Sequence, residues 1–265
     1  DVPLPAEDAA ALRTHLVGAR LAGDVRTSPS ATTDNCRRLV AGDVDYTFGL
    51  SDWRDATLDE ALDAVAALCG SAAVTRDPDD AGWIDPDAAL AAIGLQRDRL
   101  VALVEAGGGR VLLATGHPTG LVVHYGAVAR ALRDAGCEVL TPLDDTRDLL
   151  EQDDRKLGIR FLDGVACAWS GGELMHTHRS GLAEAMLDEL ERQRRVPDLV
   201  LADHGYAGAA VERGLPTLSI ADVNDPALML AQVRGRTDAV LPIDDNLAPR
   251  SFEPVTAVLL GPLAG

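Results

Sequence analysis

From Val111 to Ala114 the chain carries four apolar residues in a row, and the rhythm then changes. An unbroken apolar run of this length, entered from Gly107-Gly108-Gly109, reads as a central strand of a parallel sheet covered on both faces. It stops in Thr115-Gly116-His117-Pro118-Thr119-Gly120. From Val122 to Ala135 apolar positions recur at helical spacing and end at Gly136, where a helix stop is expected. Later segments repeat the alternation. Glu138–Thr141, Val165–Trp169, Glu173–His176, Leu199–Ala202, Thr217–Ile220 and Ala239–Leu241 read as strands. Ser180–Arg195, Gly205–Glu212, Pro226–Val233 and Pro254–Leu263 read as helices. Ser170-Gly171-Gly172 is a hairpin signal between two strands. The acidic stretch Leu143–Arg155 reads as exposed, with no element assigned to it.

Upstream of the triple glycine the pattern is helical. Ala9, Leu12, Leu16 and Ala19 place a helix over Pro5–Ala22, and a short one follows Thr32-Thr33-Asp34 through Cys36 to Ala41. Thr57 with Glu60 three residues on forms a capping box for Thr57–Leu68. Asp85-Pro86 opens a helix running to Glu105. No strand is expected in the first hundred residues, and Gly42–Leu50 reads as irregular. The fold class is therefore α/β: a Rossmann-like, largely parallel sheet flanked by helices over residues 108–265, with a mainly helical N-terminal region over residues 1–107.

Composition narrows the partners. Of 265 residues 47% are hydrophobic but only 3% aromatic, so the core must be built from Ala, Val, Leu and Ile. The net charge of −18 repels a polyanion at long range, which argues against nucleic acid as a partner. No apolar run approaches the ~20 residues of a membrane span. Cys36, Cys69, Cys137 and Cys167 are scattered without a CxxC pair, so no zinc ribbon or redox motif is indicated; buried thiols in a reduced, cytoplasmic protein are expected.

Chemistry-bearing residues follow the strands one after another. Thr115-Gly116-His117 follows the first, His176-Thr177-His178 the hairpin, and Asp203-His204-Gly205 the next strand. Asp222-Val223-Asn224-Asp225 and Asp244-Asp245 follow the last two. Five of the six histidines lie between His117 and His204. Ligands of parallel α/β sheets bind beyond the carboxyl ends of the strands, so these side chains are expected along one rim, where imidazole and oxygen donors suit Mg²⁺, Mn²⁺ or Zn²⁺. Plainer roles compete. Asp225 with Pro226 can be a helix cap, and Asp244 and Asp245 stand equally well as turn residues. His124 lies on a helix behind the loop, and His15 stands alone on the first helix. The glycine turn at 115–120 is neither a Walker loop nor GxGxxG, but a strand–turn–helix can aim backbone N–H groups at an anion.

The stretches ATGHPTGL, LMHTH, LVLADHGYAGAA, ADVNDPAL and LPIDDN, with RLAGDV and AGDVDYTFGL earlier, together resemble an actinobacterial protein family named simply phosphatase. The helical front and α/β back are also distantly similar in architecture to metal-dependent damage-control phosphatases, without their motif. The resemblance implies a metal-assisted phosphohydrolase acting on a small phosphorylated metabolite. On that reading Thr115, Gly116, Thr119 and Gly120 hold the phosphate. Asp203, Asp222 and Asn224 hold a divalent cation, Mg²⁺ or Mn²⁺ before Zn²⁺. His117 and His204 serve as general acid or base, with His176, His178 and Asp225 as further candidates. A metal-dependent lyase, cyclase or isomerase on the same site, or a non-catalytic ligand-binding domain, are the alternatives. Serine catalysis through GxSxG and an aspartyl-nucleophile route are not expected.

Overall fold

A computed structural model describes residues 6–263. Pro5, where the first helix was expected to begin, lies outside them, as do the other extreme residues of the two expected regions. In chain order the elements are α1 (Ala6–Gly18), β1 (Gly23–Val25), α2 (Pro29–Val40), α3 (Leu58–Cys69), α4 (Ala72–Thr75), β2 (Gly82–Ile84) and α5 (Pro86–Glu105). Then come β3 (Arg110–Thr115), α6 (Pro118–Asp134), β4 (Glu138–Val139), β5 (Thr146–Gln152), β6 (Arg155–Leu162), β7 (Val165–Ser170), β8 (Glu173–Met175) and α7 (Gly181–Arg192). The chain closes with β9 (Leu199–Asp203), α8 (His204–Glu212), β10 (Thr217–Ala221), α9 (Pro226–Val233), β11 (Ala239–Pro242) and α10 (Glu253–Leu260).

The main sheet runs β11-β10-β9-β3-β7-β6-β5, with β4 paired to the start of β3 and β8 to β7. From β11 to β7 the pairing is parallel, and β7-β6-β5 and β7-β8 are antiparallel. The sheet is thus mixed: a parallel half built from the fully buried runs of β3, β9, β10 and β11, and an antiparallel extension. From β3 the chain crosses one way to β4 and β7, whereas β9, β10 and β11 step the other way. Strand order therefore reverses between β3 and β9, and the crevice beyond their carboxyl ends is where such sheets hold ligands.

One expectation is corrected and one unassigned stretch is filled in. Residues 143–155, expected only to be exposed, carry strand: β5 and β6 form a hairpin turned by Asp153-Asp154, with φ of 52° and 61°. Positive φ at both central residues is the type I′ geometry that suits a two-residue hairpin. The hairpin escapes pattern reading because β5 is largely exposed and lacks a clean apolar alternation. Its charges also blunt what is an edge strand. The first hundred residues do contain strands, β1 and β2, paired as a small antiparallel ribbon. At three residues each they are too short to show a period. The main sheet takes no strand from this region.

Helices form where the caps predict them. The Thr57–Glu60 capping box starts α3, and Asp85 caps α5 with Pro86 in its first turn. A single apolar core continues from Leu12 and Leu100 through Leu113 to Leu259. Helix α5 packs along β11, and α3 packs against α9. Buried Gln96 of α5 donates to the carbonyls of Ser219 and Ala239, both at 2.9 Å, satisfying its amide within the sheet. The N-terminal helices thus lie beside the sheet rather than over its rim. Their connecting segments, Arg26-Thr27 and Asp45–Phe48, are what reach the strand ends. Among the described residues no helix is long and apolar enough to cross a membrane.

Candidate active site

Four parallel strands deliver their C-terminal residues to one cleft of 170 Å³. After β3, His117 begins α6 with a ring that makes no cap hydrogen bond; its Nδ1 lies 3.2 Å from Asp245 Oδ1. After β9, His204 holds a left-handed backbone with φ of 46°, a costly conformation for a non-glycine residue that usually marks a functional turn. His204 Nδ1 donates to Asp203 Oδ1 at 2.9 Å, so its Nε2 faces the cleft, 3.4 Å from Asp245 Oδ2 and 3.6 Å from Asp225 Oδ2. After β10, Asp222 accepts from Thr27 Oγ1 at 3.0 Å and from the Val223 amide at 2.7 Å, while Asp225 accepts from the Asp222 amide. After β11 come Asp244 and Asp245. His176 and His178 enter from the end of β8, and Asn224, Asn246 and Arg26 complete the wall.

The rings are held by packing. His178 stacks on His204 with centroids 4.5 Å apart, and His117 stacks on His176 at 4.6 Å. Phe48 sits edge-on to both His178 and His204. His178 Nδ1 faces the Asp45 carbonyl at 2.9 Å, so Nδ1 carries the proton and Nε2 accepts from His176 Nε2 at 3.1 Å. Three overlapping sets of side chains bring ligand atoms within 4.8 Å of one another: His176-His178-His204, His204-Asp225-Asp245 and Asp222-Asp244-Asp245.

Electrostatics follow from burying so many acids together. Burial, and then the charges of Asp245, Asp244 and Asp225, push Asp222 well above the usual carboxylate range. Burial carries Asp225 up to about 7, against the pull of His204, and burial also raises Asp244. Burial opposes ionisation of Asp245 too, but His117 and His204 hold it low. Burial works against the His204 imidazolium, yet Asp225, Asp203 and Asp245 lift it to about 10. His117 is raised as well: burial disfavours its charge and Asp245 outweighs that. His178 falls to about 4, through burial and the charge of His204. Without a cation this cleft keeps protons that its carboxylates would otherwise lose.

A family model described as Phosphatase matches residues 7–264. The chain belongs to this phosphatase family. A protein of Streptomyces coelicolor named Phosphatase SCO2771 is 38% identical to it over 268 residues, covering 98% of each chain. The sequence resemblance to an actinobacterial phosphatase family is thereby borne out.

In this family member the cleft brings together His117, His204, Asp222 and Asn224, as the strand-end pattern implied, with His176, His178 and Asp225. Asp203 is placed otherwise. It is the last residue of β9, fully buried behind His204, and its Oδ1 also accepts from the Gly116 amide at 2.8 Å. It orients His204 from the far side, as carboxylates behind ligand histidines do, rather than facing the cleft. The glycine turn is also used differently from expectation. Thr115, Gly116, Thr119 and Gly120 do not line the cleft. The Gly116 amide is spent on Asp203 and the His117 amide on Thr115 Oγ1. A Cβ on Gly116 would stand 2.3 Å from the Thr177 carbonyl, and one on Gly120 2.3 Å from the Asp245 carbonyl. These glycines admit neighbouring backbone.

One contributor was not among the sequence candidates, and two were left undecided there. Arg26 reaches the cleft from the segment after β1 and faces Asp244; the arginine that the strand-end loops lack is supplied from there. Asp244 and Asp245, left open as turn residues, are both buried and central. Their place after the last strand was the available signal. Asp43-Val44-Asp45-Tyr46-Thr47 does spell D-x-D-x-T, so setting aside an aspartyl nucleophile rests on placement, not spelling. The stretch follows a helix rather than a strand. Asp43 accepts from the Asp45 amide, and Asp45 is held by Arg179 through two contacts of 2.7 and 3.2 Å. Neither carboxylate lines the cleft. His124, on α6, is buried against Thr256 Oγ1 at 2.7 Å, and His15 meets the Ser251 carbonyl; both serve the scaffold.

Proposed function

We propose that the chain is a metal-assisted phosphohydrolase acting on the phosphate of a small metabolite. The observation that carries this reading is a cleft in a phosphatase-family chain where two buried carboxylate oxygens, Asp244 Oδ2 and Asp245 Oδ2, have no hydrogen-bond partner among the described residues, the latter 3.4 Å from His204 Nε2. Orphaned buried carboxylates cost several kcal/mol unless a proton or a cation meets them, so the donor set fits a divalent ion. When bound, the ion would polarise the phosphoryl group and lower the pKa of a water.

The side chains divide the remaining work. Asp222, Asp244 and Asp245 hold the cation, with Asn224 adjacent. His117, whose charged form Asp245 favours, delivers a proton to the departing alcohol oxygen as the P–O bond to it breaks and the water oxygen bonds to phosphorus. Arg26, exposed at the mouth, presents its guanidinium to the phosphate oxygens. At 170 Å³ the cleft has room for about five or six waters. That accommodates a phosphate and its attacking water, with the rest of the substrate outside. A larger apolar cavity of 690 Å³ lies beside α5 and β11, between Leu68, Leu95 and Pro242; it lacks the charge that phosphate recognition needs.

The test is phosphate release from a panel of phosphorylated metabolites with Mg²⁺, Mn²⁺ or Zn²⁺, each product followed by mass. Loss of phosphate supports the reading. No release with any cation from a folded sample overturns it, and a product changed only by loss or shift of water would assign the site to a lyase or isomerase.

A further inference from the structure

We infer that the cleft is a two-cation centre with chemically distinct halves: a nitrogen-rich site of His176, His178 and His204, and an oxygen site of Asp222, Asp244 and Asp245, with Asp245 between them. This deepens the phosphohydrolase reading and rests on it for function, but its geometry and its test concern metal alone.

The overlap of three ligand sets is resolved by counting lone pairs. His204 Nδ1 is committed to Asp203, so His204 has one nitrogen, Nε2, to offer one ion. His178 Nδ1 is committed to the Asp45 carbonyl, so it too offers only Nε2. That atom lies 3.1 Å from His176 Nε2. With no ion between them, His176 Nε2–H donates to that lone pair. The same spacing suits adjacent ligands on one ion, which would replace that proton: bonds of about 2.0–2.1 Å put neighbouring nitrogens roughly 2.9–3.4 Å apart. An ion held there by three imidazoles can take its fourth ligand from Asp225 or Asp245, whose Oδ2 atoms lie 3.6 and 3.4 Å from His204 Nε2.

Asp222 and Asp244 fall in no ligand group with a histidine, whereas Asp245 falls both in one with His204 and in one with Asp222 and Asp244. Asp244 and Asp245 are 1% and 4% exposed, and each keeps an Oδ2 without a partner among the described residues. A carboxylate with two oxygens can serve two ions, which a singly available imidazole cannot, so Asp245 is the bridging group. Ligand chemistry then sorts the ions. Three imidazoles favour Zn²⁺ or a neighbouring transition metal, and three carboxylates favour Mg²⁺ or Mn²⁺.

The experiment strips the full chain with chelator, reloads it with Zn²⁺ plus Mn²⁺, and counts bound metal after desalting. Two ions per chain are expected, one of each. His176→Ala with His178→Ala should lose zinc and keep manganese, and Asp222→Asn with Asp244→Asn should do the reverse. Co²⁺ in place of Zn²⁺ gives a visible spectrum that should vanish in the histidine variant alone. Circular dichroism verifies folding; if a double variant is unfolded, His178→Gln and Asp244→Asn singly replace it and should weaken the respective ion by tenfold or more. One ion per chain, or loss of the same ion from both variants, overturns the two-cation centre. Two ions without phosphatase turnover would retain it and overturn the catalytic reading instead.

Discussion

Replacing Asp203 by Asn separates a group that holds a ligand from one that is a ligand. Asp203 is fully buried, and its Oδ1 collects two donors, the Gly116 amide at 2.8 Å and His204 Nδ1 at 2.9 Å. Both partners are donors, so Asn must place its carbonyl oxygen there and its NH₂ where Oδ2 now sits. Oδ2 has no partner among the described residues, so the two new N–H donors are buried unmet, at a cost of about 1–3 kcal/mol. The two hydrogen bonds also lose their charge assistance, and His204 loses basicity toward an ion at Nε2. Loss of such a supporting carboxylate typically lowers metal affinity 10–100-fold, about 1.4–2.7 kcal/mol. Calorimetric titration of the stripped protein with Zn²⁺ reads this directly. Asp203→Asn should bind the ion at full stoichiometry with affinity reduced by that factor. An affinity within threefold of the parent, in a folded sample, would show that Asp203 does not act on His204. Loss of a whole equivalent would make it a direct ligand and refute the placement argued here.

Other outcomes follow from the same geometry. Mn²⁺ at a thousand times its dissociation constant should stabilise the stripped protein by about 4 kcal/mol, roughly 10 °C in melting temperature; an unchanged Tm would argue against any cation site. Arg26→Ala should raise KM about tenfold while kcat falls less, since the charge meets phosphate rather than the leaving group; equal losses would place it elsewhere in the reaction. Gly120→Ala should destabilise the fold and weaken metal binding together, because its Cβ would drive into the Asp245 carbonyl 2.3 Å away; a neutral result by denaturation and titration would refute the close approach. Buried His124 is held down to about 4 by burial, against 6.5. Its folded pKa is depressed, so the stability it contributes is complete above pH 6.5 and is lost as pH falls toward 4, about 3 kcal/mol in all. His124→Gln keeps the donor to Thr256 without the titration. The stability difference between parent and variant in urea should therefore shrink by that amount from pH 7 to 4, and a constant difference would contradict the assignment.

Much of this protein was written in local pattern. The apolar run of β3, bounded by glycines, suited a strand covered on both faces, and Thr57 with Glu60 spelled a helix start. The succession of His and Asp after β3, β9, β10 and β11 followed from parallel pairing, because parallel strands end at one rim and their next residues must meet there. Tertiary structure decided which of those residues face the cleft. Asp203 and Asp222 look alike in sequence, yet Asp203 closes its strand inside the sheet and braces His204, while Asp222 stands beyond its strand and opens to the cleft. Gly116 and Gly120 read as an anion cradle until the carbonyls of Thr177 and Asp245 fill the space beside them. Arg26 and the Asp45–Phe48 segment come from a region without strands in the main sheet, more than 190 positions before Asp244, and no local period could bring them to the rim. The β5–β6 hairpin was hidden for a related reason: an exposed edge strand has no buried face, so it has little alternation to read. Local sequence sets what each segment can form; which side chains share a solvent-poor cleft depends on packing between segments, a property that local pattern does not contain.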